Sequence, residues 1–164
     1  MHRDELKYSD KQLTDIVWQA YTINIQKLNF IDSGSFFGFI AEQENGHKLF
    51  LKIYPKKTID PALLSVNEVG AAIQRFRNDF GMDNLSYCIP DKNNQFCFET
   101  NELLLALFDH IEGFHPTYSP NMLSADKLAH IFYQLHHIPC ESFPHFKKED
   151  FNIQYALGLA DWIT

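Results

Sequence analysis

At 164 residues the chain has room for one ordinary domain, or for one and part of another. Its 45% hydrophobic and 15% aromatic content, with 15 phenylalanines, can build a core and argues against disorder. A net charge of -7 offers no basic face to nucleic acid, and no apolar run reaches the roughly 20 residues of a membrane span.

The first ten residues, MHRDELKYSD, are charged from the start and do not read as a signal peptide. Ser9 can cap a helix to about Tyr21, with Leu13, Ile16, Val17 and Ala20 at helical spacing. Residues 23–31 alternate imperfectly, as a first strand that starts late. Ser35 to Glu42 and Lys48 to Tyr54 form a hairpin, and Asn45-Gly46 between them suits a turn needing positive φ. Asp60-Pro61 starts a second helix, with Asp60 as N-cap and Pro61 at the first helical position. Leu63, Leu64, Val66, Val69, Ile73 and Phe76 give it an apolar side, and Gly81 is its stop. Two further strands follow at Gln95 to Thr100 and Glu102 to Asp109. Ser124 caps a third helix to about His137, and an apolar helix over Asn152 to Ile163 ends the chain. Cys88, Cys97 and Cys140 are an odd number without close spacing, which suits buried free thiols in the cytoplasm and gives no start for a zinc site.

The richest stretch is Phe30 to Tyr54, FIDSGSFFGFIAEQENGHKLFLKIY. Lys52 lies between Leu51 and Ile53 on a strand that otherwise reads as buried. Desolvating an ammonium costs several kcal/mol or more, so this lysine requires a reason. One is an edge strand whose lysine stem packs while its head reaches water. The other is a phosphate anchor behind a glycine loop. Ser33, Gly34, Ser35 and Phe36 would form that loop, with backbone N–H groups turned to the phosphates. A plain hairpin turn reads equally well there. Glu68, in the second helix, can pair with Lys52 and hold its ammonium in place. It can also be an ordinary exposed carboxylate. Leu103 to Gly113, LLLALFDHIEG, is an apolar strand running into a polar break and glycine. Backbone groups from Asp109 to Ile111 could pair with an adenine edge, with Phe108 as a wall. His136-His137 lacks further ligands and suits a helix C-terminus better than a metal.

The segments SGSFFGFIAEQENGHKLFLKIYP, NEVGAAIQRF, LLLALFDHIEG and QLHHIP, in that order, resemble the aminoglycoside phosphotransferase and choline kinase-like family. The likeness spans about residues 10–140. It implies an α+β, protein-kinase-like N-terminal lobe: a five-stranded antiparallel sheet with one helix inserted after the third strand. The lobe would occupy residues 1–108, a hinge 109–114, and the start of a second lobe 115–164. The implied activity is transfer of the γ-phosphate of ATP or GTP, with Mg2+, to a hydroxyl of a small molecule such as an aminoglycoside or choline-like compound. Lys52 would hold the phosphates, Glu68 would orient Lys52, Ser33 to Phe37 would cover the phosphates, and Asp109 to Ile111 would form the hinge.

The family's catalytic loop, a His-x-Asp followed by Asn with a metal-binding Asp beyond, has no counterpart after the hinge. Asp161 stands alone. No catalytic or metal-binding residue of the family is therefore present. The chain is expected to be an N-terminal fragment of a longer kinase, inactive alone, with the Mg2+ ligands in the missing lobe. An uncovered apolar surface would favour self-association. Two other readings stand beside this one: a non-catalytic kinase-like adaptor that binds a partner, and an unrelated α+β domain without a nucleotide site.

Overall fold

The computed structural model describes residues 2–32, 36–57, 66–83, 85–112 and 125–138. These fall into two compact units, one within Met1–Ser124 and one within Ala125–Thr164. The first opens with a 3-10 turn, Arg3–Glu5, and helix α1, Asp10–Tyr21. Ser9 caps α1 as expected. Its hydroxyl accepts from the Gln12 N–H while the Gln12 side chain takes the Ser9 N–H, so two orphan donors are satisfied at once.

Six antiparallel strands follow: β1 (Lys27–Asp32), β2 (Phe37–Glu42), β3 (Lys48–Pro55), β4 (Cys88–Ile89), β5 (Phe98–Glu99) and β6 (Leu103–Asp109). Their order is β1-β2-β3-β6-β4, and β5 also pairs with β6. The hairpin loop is longer than a two-residue turn. The Gly46 N–H donates to the Gln43 carbonyl, and Gly46, with φ of 79°, lets the chain rejoin its partner strand. The sequence pattern predicts five strands. The sixth, Cys88–Ile89, spans two residues and carries no periodicity to read.

The inserted helix α2 is described from Val66 to Phe80. Gly81, at φ 67°, ends it, and its N–H returns to the Arg77 carbonyl. The expected start at Asp60-Pro61 lies outside the described residues. So do Ser124 and the helix over 152–163. In the second unit α3 runs from Ala125 to His136.

The sheet has two unlike faces. Alternation on β3 sends Leu49, Leu51 and Ile53 to one side, where they pack with Leu13, Val17, Ala20, Phe39, Leu105 and Leu107. This is the main core, under α1. The opposite face carries Phe50, Lys52 and Tyr54. A smaller cluster of Cys88, Ala106 and Phe108 forms there, with Phe50, Ile73 of α2 and Phe96 against it.

Candidate functional site

Lys52 is placed by strand pairing. It lies on β3 opposite Gly38 of β2 and Ala106 of β6, two small neighbours that leave room above the sheet. A methyl group on Gly38 would press at 3.3 Å on the rings of Phe36 and Phe50. The Lys52 Nζ lies 4.6 Å from the ring centre of Phe108, 5.1 Å from that of Phe36 and 5.7 Å from that of Phe50. Each is within cation–π range. Phe36 in turn packs on Phe50 and Tyr54.

Lys52 is thus an interior lysine on the smaller face, half-buried among rings. Burial lowers its pKa from the ordinary 10.5, and the neighbouring Cys88 thiol acts in the opposite direction. Three ring faces offset part of the desolvation, at roughly 0.5–2 kcal/mol each.

The expected partner is elsewhere. Glu68 is exposed, and among the described residues no carboxylate lies within ion-pair distance of Lys52. The reason is helical phase. Gly70 marks the side of α2 that packs inward, against the chain leading into β5, since a methyl group there would meet Phe96 Cβ at 2.4 Å. Residues two apart on a helix differ by about 200°, so Glu68 faces away when Gly70 faces in. Asn67 takes the inward position. Its Oδ1 accepts from the N–H groups of Phe96 (2.7 Å) and Cys97 (3.1 Å), tying α2 to the chain leading into β5.

At the end of β6, Phe108 is buried at the same face. Asp109 closes the strand. Its N–H donates to the Tyr87 carbonyl at 2.7 Å, and its carbonyl accepts from Ser86 Oγ at 2.8 Å. Its carboxylate lies 3.6 Å from His47 Nε2. Ile111 is 53% exposed just beyond, and Glu112 pairs with Lys48 at 3.4 Å. Ser33, Gly34 and Ser35 lie outside the described residues; Phe36, next to them, reaches Lys52.

Phe50 and Tyr54 joined the site without having been singled out. The period-two alternation around Lys52 was the signal that could have found them. Cys88, Asn67 and Phe96 had none. Among the described residues no three His, Cys, Asp or Glu are grouped to hold a metal ion. Nor is any described helix long and apolar enough to cross a membrane.

Solved structures share this fold. A spectinomycin phosphotransferase in complex with ADP and spectinomycin superposes with a TM-score of 0.68 at 16% identity, over 97% of this chain and 47% of that one. This is a kinase-like fold. An aminoglycoside phosphotransferase from Alicyclobacillus acidocaldarius gives 0.58 at 15% identity, over 91% of this chain and 40% of that one. A microcompartment-associated aminopropanol kinase gives 0.56 at 14% identity, over 85% and 45%. The described sheet and α2 match the N-terminal lobe of that kinase-like fold, and the chain spans less than half of each of these neighbours. At such identities the likeness is one of fold. No protein-family model matches the sequence, and no curated protein does.

Proposed function

We propose that this chain is the nucleotide-holding lobe of a phosphotransferase that moves the γ-phosphate of ATP or GTP to a hydroxyl of a small molecule. One observation carries the reading: an interior lysine on the third strand of a kinase-like sheet, with its ammonium free of any described carboxylate. Lys52 Nζ takes the phosphates. Residues 33–36 cover them. Phe108 walls the base, and backbone groups of His110 and Ile111 meet its edge, since both backbone groups of Asp109 are already engaged. The lobe covers residues 1–108, the hinge 109–114, and residues 115–164 begin the second lobe. Mg2+ accompanies the nucleotide on ligands beyond this face. The acceptor belongs to the aminoglycoside or choline-like class, and the protein works in the cytoplasm, where nucleotide and reduced thiols coexist.

The test is an ADP titration of the chain followed by heteronuclear NMR. Losing a charge-assisted contact worth about 1.5–3 kcal/mol weakens binding roughly 10- to 100-fold in Lys52→Met. Equal ADP affinity in the two proteins would reject the reading. An adaptor without nucleotide chemistry is the second reading, and no ADP response in the wild-type chain would turn the balance towards it.

A further inference from the structure

On the nucleotide reading above, we propose that Phe50 and Phe108 are the positioning residues of Lys52, holding its ammonium by their ring faces, and that Glu68 takes no part. The two rings stand opposite each other, because Phe50 pairs with Phe108 across β3 and β6. Each is two residues from the Lys52–Ala106 pair on its own strand, hence on the same face. Their places are set by the sheet ladder and by the cluster of Cys88, Ala106, Ile73 and Phe96. Ile73 of α2 touches that cluster, but the pairing of Phe50 with Phe108 belongs to the strands alone. An aromatic face attracts a cation without neutralising it. A carboxylate would satisfy the ammonium and compete with an incoming phosphate. Here the phosphate is the first full counter-charge that Lys52 meets among the described residues.

Glu68, by contrast, is exposed on the far side of α2 from Gly70. Bringing it over Lys52 requires turning α2 by roughly half a revolution. That turn would break both bonds to Asn67 Oδ1 and drive Gly70 away from Phe96.

The experiment compares Lys52→Met, Phe50→Leu, Phe50→Tyr, Phe108→Leu and Glu68→Gln. Two quantities are read: the affinity for tripolyphosphate, which has no base to touch Phe108, and the Lys52 titration followed by 13Cε NMR. Phe50→Leu and Phe108→Leu each weaken tripolyphosphate binding about three- to tenfold and lower the Lys52 pKa further. Phe50→Tyr keeps the ring face and restores both. Glu68→Gln changes neither. If Glu68→Gln weakens binding as much as Lys52→Met, or lowers the Lys52 pKa, the proposal is overturned while the nucleotide reading stands. If Lys52→Met itself binds tripolyphosphate and ADP like wild type, the nucleotide reading fails. Should either leucine variant not fold, the Phe50→Tyr and Glu68→Gln titrations decide alone.

Discussion

Cys88 is fully buried beside Phe108, and its Sγ donates to the Phe96 carbonyl at 3.4 Å. Burial pushes its thiol up to about 12 from an ordinary 9.0; Cys97 adds to the rise and Lys52 opposes it. The unfolded chain releases this proton near pH 9 while the folded chain keeps it. The folded state then binds more protons, so stability falls as pH rises from about 9 towards about 12. Cys88→Ala is expected to lose less stability than wild type between those limits, read as chemical-denaturation midpoints. Equal slopes would show that the thiol does not govern the alkaline limb. Lys52 has the opposite sign. Its pKa is lowered, so ADP, which needs the charged ammonium, should bind more weakly as pH rises through a value below 10.5. Lys52→Met should show a flat profile there, and a parallel decline in both proteins would remove Lys52 as the cause. At this scale the half-buried lysine itself was legible, because a lysine between Leu51 and Ile53 is conspicuous. Its surroundings were legible in part: Phe108 and Phe36 were singled out, but Phe50 was not. Glu68 was misjudged because adjacency to Val66 and Val69 does not fix helical phase. Val69 is 44% exposed, and the inward contact falls on Gly70, which no apolar pattern counts.

Helix α2 is held on the sheet by polar as well as apolar contacts. Asn67→Ala would leave the N–H groups of Phe96 and Cys97 without their acceptor, at about 1–3 kcal/mol each for buried donors. Both are partly buried, so a total near the lower end is expected from urea unfolding. Gly70→Ala provides the converse case. Alanine favours a helix over glycine by about 1 kcal/mol, yet its methyl group would sit 2.4 Å from Phe96 Cβ. Overpacking costs about 1–3 kcal/mol and wins, so the variant should be less stable than wild type. A stabilised Gly70→Ala would mean that α2 rides higher on the sheet than described. Elements with strong local signals were readable in advance. The Ser9 capping box placed α1, and Asn45-Gly46 placed the hairpin, though its loop closes on Gln43 rather than as a two-residue turn. The short strands β4 and β5 were hard to place. Two residues cannot display an alternation, and both are set by pairing to β6 rather than by their own composition.

Over the whole molecule, the order helix, three strands, helix, strands was enough to read the fold class, because that order is itself the signature of a kinase-like N-terminal lobe. The acceptor was not readable: the described face carries a cation, rings and backbone edges, which on the proposed reading address a nucleotide. Phosphoryl transfer also needs a group to receive the hydroxyl proton and acidic ligands for a divalent cation. No His-x-Asp follows residue 113, and no described cluster could hold a metal. The 164-residue chain is therefore expected to bind nucleotide without turning it over. Incubated with γ-labelled ATP, Mg2+ and either kanamycin or choline, it should release and transfer label no faster than buffer. Transfer that depends on acceptor and disappears in Lys52→Met would show that these residues already contain a proton acceptor and metal ligands.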